Sequence, residues 1–305
     1  MSVLSNGQPS STEAAAPDSL WGKLRVTGEM IKFEHSVFAL PFALLGAMLA
    51  ARGWPTGWQL FWIVIAMVGA RSAAMSFNRL IDRRIDAANP RTATRALPTG
   101  ALGVGFVAAF AAASSAVLMV AAYKLNPLSF QLSPVALAVL FVYSYTKRFT
   151  VFSHIILGFC LGMAPAAAWI AVRGSLGPPI LLLTAAVTLW TAGFDILYAC
   201  QDVEFDRSTG LCSVPQRWGV PRALQVSAAL HIVMLLLLLW LAWVAELGWI
   251  SITGLALTGV LLIYEHRLVK PTDLARLDAA FFNTNGWIGI LLLLFWGTDI
   301  VMRRG

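Results

Sequence analysis

The chain has 305 residues, of which 58% are hydrophobic and only 12% charged, with a mean hydropathy of +0.74. A soluble domain carries about 25% charged residues, so this composition excludes an ordinary water-soluble fold and reads as a polytopic protein of the lipid bilayer. The formal charge of +7 then belongs to basic loops facing anionic lipid, and nucleic acid is not expected as a partner.

In chain order, the opening MSVLSNGQPSSTEAAAPDSL is polar and rich in Ser, Ala and Pro. It lacks the basic start and short apolar core of a cleavable signal. Residues 1–25 therefore read as a disordered cytoplasmic tail and 26–305 as a single transmembrane domain. A span needs roughly 20 apolar residues, and nine stretches fit: 36–51, 58–77, 102–123, 134–145, 152–172, 180–200, 223–245, 250–264 and 284–301. The first, fourth and eighth are short and are expected to extend into their polar flanks. Pro41 and Pro165 read as kinks in membrane helices, and Gly158-x-x-x-Gly162 as a site of close helix packing. Trp54, Trp58 and Trp249 read as interfacial anchors. Cys160, Cys200 and Cys212 are too widely spaced for a metal or redox pattern.

The links between spans alternate in character. RGWPTGW, NPLSF, RGSLGPP and ELGW are short, rich in helix breakers and nearly free of positive charge. The other links hold most of the basic residues. Of the 22 Lys and Arg, sixteen fall on the amino-terminal side, five on the other (Arg52, Lys124, Arg173, Arg303, Arg304), and Arg71 lies inside a span. The positive-inside rule places the amino terminus and the charged links in the cytoplasm, for a protein of the inner membrane. Arg303 and Arg304 run against that rule.

Two charged patches share the same side. In SFNRLIDRRIDAANPRTATRALP, a helix continuing past Phe77 would align Arg71, Met75, Asn78, Asp82 and Asp86 on one face. An amide and two carboxylates about one turn apart suit Mg²⁺, which favours a few carboxylates plus substrate phosphate oxygens. In FDILYACQDVEFDRSTG, the residues Asp195, Tyr198, Asp202 and Asp206 follow spacings of three or four, with Glu204 pointing elsewhere. Two acidic faces can hold a diphosphate between them through metal ions, and Arg91, Arg95, Lys147 and Arg148 are the cations placed to take the remaining phosphate charge. Arg79, Arg83 and Arg84 read as topogenic charges. Asp195 lies near or within an apolar span, where an ionised group costs ~2.5–3.5 kcal/mol, so a purely solvated role does not suit it. His35 and His154 have no metal-ligand partners at helical spacing and read as structural or boundary residues; Glu34 faces either a cavity or the headgroups. A secondary transporter also places acids in membrane helices, but these acids sit at helix ends and no inverted repeat is present.

At these residues the chain resembles the UbiA-type intramembrane prenyltransferases. The resemblance rests on Asn78-x-x-x-Asp82-x-x-x-Asp86 and Asp195-x-x-Tyr198-x-x-x-Asp202-x-x-x-Asp206, with NPRTATRALPTG and YSYTKR, and covers nearly all of the chain beyond residue ~25. It implies an all-α fold of nine transmembrane helices around a central cavity open sideways to lipid. It also implies Mg²⁺-dependent transfer of an isoprenyl chain from polyprenyl diphosphate to a quinone precursor. Asn78, Asp82 and Asp86 on one side and Asp202 and Asp206 on the other would then hold the metal. Asp195, with Tyr198 beside it, would polarise the acceptor hydroxyl or steer the cation.

Within the family the chain is similar to the 4-hydroxybenzoate polyprenyltransferase branch, in particular a variant subgroup linked to menaquinone made through futalosine, for which a dihydroxynaphthoate acid is the implied acceptor. The first motif departs from the usual 4-hydroxybenzoate pattern, since Arg79 follows Asn78 and the loop ends Arg95-Ala96-Leu97-Pro98. Both acceptors are hydroxylated aromatic acids, whose carboxylate needs a partner in an apolar pocket. Arg71 would pair either with that carboxylate or with a motif aspartate or the diphosphate.

Overall fold

The structure, a computed structural model, describes residues 19–31, 38–270, 274, 277 and 284–303. Every element among them is helical: α1 (Leu20–Met30), α2 (Leu40–Ala51), α3 (Gly57–Ala88), α4 (Val104–Leu125), α5 (Pro127–Thr146), α6 (Ser153–Arg173), α7 (Pro178–Ala199), α8 (Val203–Thr209), α9 (Val214–Trp218), α10 (Val220–Val244), α11 (Trp249–Leu268) and α12 (Asn285–Met302). In hydrocarbon every backbone N–H and C=O must be satisfied internally, which leaves an apolar chain of this kind the helix. Eight of the described helices are long and apolar enough to span a bilayer, counting α7 through to Thr209, and α2 is a ninth, shorter apolar helix. The protein is a multi-pass membrane protein, and these nine helices correspond to the nine stretches read from the sequence.

The differences lie at helix ends and have local causes. Helix α1 begins inside the stretch assigned to the tail, where the Ser19 hydroxyl accepts the Gly22 N–H at 3.0 Å and caps the turn. Residues 1–18 lie outside the described residues, as do Glu34 and His35. Pro41 stands in the first turn of α2, where its missing N–H leaves no bond unmade, so it starts the helix rather than kinking it. Helix α5 extends seven residues before 134, into the polar flank as expected, and Pro134 lies inside it. Proline cannot donate to the Phe130 carbonyl four residues back. The Ser133 hydroxyl donates to that carbonyl instead, at 2.8 Å.

Helix α3 opens on a reciprocal cap, with Gln59 N–H on the Thr56 hydroxyl and Thr56 N–H on the Gln59 amide oxygen. It then runs eleven residues past Phe77 and carries the whole first motif out of the apolar zone on one unbroken helix. The second motif differs. An α-helical face from Asp195 to Asp206 is interrupted at Cys200–Asp202 by a 3-10 turn. Three residues per turn instead of 3.6 add about 60° of rotation across that segment, which shifts Asp202 and Asp206 together relative to Asp195.

Among the helices, α3 packs along α4, α6 along α7, α7 along α10, α2 along α6 and α11 along α12. Lipid tails are as apolar as leucine, so close packing and interhelical hydrogen bonds hold these pairs. A Cβ on Gly158 would run into the Thr188 carbonyl of α7, and one on Gly46 into the Pro165 carbonyl of α6. The main core centres on Trp190, Phe42 and Trp296, all fully buried. Trp190 donates to the Asn285 amide oxygen at 2.8 Å, and Asn285 donates to Glu265 at 2.6 Å, tying α7, α12 and α11 together.

Candidate active site

A cavity of about 1050 Å³ opens among α2, α3, α4, α5, α6 and α7. Its deeper wall is apolar, with Met67, Leu118, Leu132, Leu161 and Ile170 among its residues. Its other end is lined by six cations (Arg71, Arg79, Arg91, Arg95, Lys147, Arg148) against four carboxylates (Asp82, Asp86, Asp195, Asp202). The excess of positive charge fits an anionic ligand, and the confinement strengthens each charged contact.

Asp82, Asp86, Asp202 and Asp206 are each held by a cation from another segment. Arg148 donates to Asp82 Oδ1 at 2.7 Å, and also to the Ile81 and Ser144 carbonyls, so it braces α5 against α3. Arg95 donates to Asp86 Oδ1 at 2.6 Å, with Arg79 on the other oxygen at 3.7 Å. Arg91 grips Asp202 through Nε at 3.0 Å and Nη2 at 2.6 Å. Burial opposes the Arg91 charge, but the hydrogen-bonded Asp202 carboxylate outweighs it and holds the guanidinium pKa above its ordinary value. The loop after α3 is shaped for this contact: Asn89 Oδ1 accepts the Arg91 N–H at 2.9 Å while its amide donates to Asp202 at 3.2 Å. The Asn78 amide donates to Asp82 Oδ2 at 2.9 Å, which fixes its orientation and leaves its oxygen as a donor atom for a cation.

Asn78, Asp82, Asp86, Arg71, Arg91, Arg95, Lys147, Arg148, Asp195 and Asp202 thus come together on one cavity wall. Arg71 donates to the Ile31 carbonyl at 3.3 Å and connects α3 to the end of α1. Tyr198 and Asp206 are not on that wall. Tyr198 lies under Arg91, whose guanidinium stands 5.3 Å from the ring centre and donates to the phenol oxygen at 3.3 Å. Asp206 is fully buried; it accepts the Ser213 hydroxyl at 2.8 Å and pairs with Lys147 Nζ at 2.9 Å.

The sequence reading missed four residues. Arg79, taken as topogenic, is buried in the site, whereas Arg83 and Arg84 are exposed. Its signal was present, since seven residues separate it from Asp86 and put both on one helical face. Asn89 and Tyr143 line the cavity as well; they open the stretches NPRTATRALPTG and YSYTKR, of which only the basic residues had been singled out. His154, read as merely structural, lies 2.6 Å from Asp195; the contact joins two helices 41 residues apart in sequence, beyond the reach of helical spacing.

Residues 39–297 match the UbiA prenyltransferase family. The 4-hydroxybenzoate octaprenyltransferase of Citrobacter koseri is 30% identical over 224 residues, covering 73% of this chain and 77% of that protein. The apo structure of a UbiA homolog from Aeropyrum pernix K1 superposes with a TM-score of 0.80 at 35% identity, covering 88% of this chain and 98% of its own. A UbiA homolog from Archaeoglobus fulgidus bound to DMAPP and Mg²⁺ shares the fold, with a TM-score of 0.73 at 20% identity over 90% of this chain and 98% of its own. With its charged motifs gathered over an apolar cavity and its match extending across most of the sequence, the chain belongs to the UbiA prenyltransferase family.

Proposed function

We propose that this enzyme transfers a polyprenyl chain from polyprenyl diphosphate to the ring of a hydroxylated aromatic acid of the 4-hydroxybenzoate type, in ubiquinone or menaquinone biosynthesis. The observation that carries the reading is the division of one cavity into a charged end with six cations and four carboxylates and an apolar remainder. A diphosphate head suits the first and an isoprenoid tail the second. The acceptor class is supported by the name of the Citrobacter koseri relative.

Mg²⁺ is the proposed cofactor, as in the Archaeoglobus fulgidus homolog. The donor atoms fit it, because Asn78, Asp82, Asp86 and Asp202 offer only hard oxygens on the cavity wall. No three His, Cys or acidic side chains converge on one point among the described residues, so the ion would depend on substrate phosphate oxygens for part of its coordination. When bound, it would offset the charge gathering on the departing diphosphate. Asp206, paired with Lys147 and off the cavity wall, is assigned instead to holding Lys147.

The chain's own cations do the rest of the binding. Arg91, Arg95, Lys147 and Arg148 exchange part of their contact with carboxylates for contact with phosphate oxygens. Arg71, higher on α3, takes the acceptor carboxylate. Asp195 faces the acceptor hydroxyl, and the apolar wall keeps water from the allylic carbon. The sixteen-to-five division of basic residues supports an inner-membrane protein with its amino terminus and this site on the cytoplasmic face.

The test gives the purified enzyme polyprenyl diphosphate, Mg²⁺ and two acids in competition, 4-hydroxybenzoate and 1,4-dihydroxy-6-naphthoate, and identifies the product by mass. The naphthoate is included because Arg79, which departs from the usual 4-hydroxybenzoate pattern, adds a cation to the site. Prenylation of a neutral acceptor with neither acid used would defeat the reading.

A further inference from the structure

His154 has an unusual pair of partners. Its ring is nearly enclosed, 4% exposed, on α6. Nδ1 lies 2.6 Å from Asp195 Oδ2, and Nε2 lies 3.2 Å from the backbone nitrogen of Val214. A backbone N–H only donates, so the nitrogen facing it presents a lone pair. The proton of the neutral imidazole is thereby placed on Nδ1, where it donates to Asp195. The amide that sets this tautomer is itself anchored. Ser213, its neighbour, donates to the buried Asp206, and Cys212 N–H donates to the Lys147 carbonyl at 2.8 Å.

The consequence falls on Asp195. Its side chain is 24% exposed and lines the cavity. With Oδ2 occupied by His154, its Oδ1 accepts no hydrogen bond among the described residues. We infer that His154 is a positioning residue: it fixes the rotamer of Asp195 and presents Oδ1 to the hydroxyl of the acceptor. This rests on the prenyl-transfer reading above. As the ring carbon bonds to the allylic carbon, the C–O electron pair leaves with the diphosphate and the hydroxyl proton moves to Asp195 Oδ1. The ring carbon then loses its own proton to the diphosphate oxygens, and Asp195 returns its proton to the acceptor oxygen. A carboxylate swinging freely would meet the hydroxyl only part of the time, which costs turnover rather than diphosphate affinity.

Substitutions at both ring-nitrogen positions test this. The amide of His154→Asn reaches the place of Nδ1 and can still donate to Asp195. The amide of His154→Gln reaches the place of Nε2 and cannot. Expected is a loss of kcat of about 10–100-fold in His154→Gln and His154→Leu, with KM for the prenyl diphosphate unchanged, and most of the kcat retained in His154→Asn. In an Asp195→Asn background His154→Leu should cost nothing further. Equal kcat in the Asn and Gln variants, or a full additional loss in the Asp195→Asn background, overturns the inference. A second measurement needs no acceptor: in the spectrum of ¹⁵N-histidine-labelled enzyme, the signals missing from His154→Asn should show a protonated Nδ1 and a bare Nε2. The opposite tautomer overturns the positioning role. Failure of the wild type to prenylate any aromatic acid, with the expected tautomer present, removes the functional reading and the catalytic consequence with it while the His154–Asp195 geometry stands.

Discussion

Arg91 and Asp202 form a two-pronged pair, Nε to Oδ1 at 3.0 Å and Nη2 to Oδ2 at 2.6 Å, across 111 residues of sequence. The pair joins the loop after α3 to the turn after α7, so the two acidic motifs meet through a guanidinium rather than through each other. A metal–diphosphate complex would offer Asp202 a cation and Arg91 an anion, so that one ligand would satisfy both partners of the pair.

The first prediction follows from that exchange. Asp82→Asn and Asp202→Asn should each leave the protein folded but lower turnover at least ~100-fold, the scale of losing charge stabilisation in a transition state. Chelation of divalent metal by EDTA should abolish activity and added Mg²⁺ restore it. Full turnover in either variant, or in EDTA, would falsify the proposed metal site.

Asp206 should behave differently. It is fully buried, while the Lys147 side chain it holds remains 40% exposed. Asp206→Asn therefore removes one charge of a half-buried pair and is expected to cost about 1–3 kcal/mol of stability, below the full loss for an enclosed pair. Thermal unfolding in detergent should show the lowered midpoint. The Mg²⁺ concentration for half-maximal activity should stay at the wild-type value in Asp206→Asn and rise in Asp86→Asn. A rise in Asp206→Asn would return it to the metal ligands.

Orientation is open to direct measurement. Ala88 and Thr209 are both exposed at the charged end of the bundle. Cysteines introduced there, in a chain lacking its own, should react with an impermeant maleimide only after the cells are opened. Reaction in intact cells would invert the topology. Arg303, the basic residue that runs against the positive-inside pattern, is accounted for locally: it pairs with Asp299 at 3.1 Å and donates to the Glu246 carbonyl. Its charge is spent on closing the turn between α10 and α11, where Asp299 also accepts the Gly248 and Ser251 N–H groups.

What was legible in the sequence was whatever depends on local order. The number of apolar helices follows from runs of about 20 residues, and the first motif follows from helical spacing because α3 stays regular from Gly57 to Ala88. The second motif departs from that spacing, since nothing in YACQDVEF announces a 3-10 turn between Asp195 and Asp206. The fourth stretch extends into its polar flank as expected, and the Ser133–Phe130 contact shows how the helix carries through Pro134. His154 and Asn89 owe their roles to partners far along the chain, Asp195 and Asp202. Such partners become visible only when α6, α7 and the loop after α3 are packed together.

The last prediction concerns how the acceptor is chosen. Arg71 lies on α3 two turns before Asn78, on the cavity wall, and donates to the Ile31 carbonyl through Nη2. The motif carboxylates at the charged end pair with Arg79, Arg91, Arg95 and Arg148, cations enough to serve a diphosphate without Arg71. An aromatic acid seated with its hydroxyl at Asp195 must bring its carboxylate into the same low-dielectric cavity, and an unpaired carboxylate there is costly. A guanidinium is the group that meets it with two parallel hydrogen bonds. Arg71→Leu should therefore raise KM for the acid acceptor about 10-fold or more, the equivalent of one charge-assisted hydrogen bond, and leave KM for the polyprenyl diphosphate nearly unchanged. Arg71→Lys should recover part of the loss, because an ammonium supplies the charge without the fork. Because Arg71 also tethers the end of α1, thermal unfolding of both variants separates a folding defect from a binding one. Equal increases in both KM values would place Arg71 on the diphosphate instead, and an acceptor KM that does not move would remove it from the site.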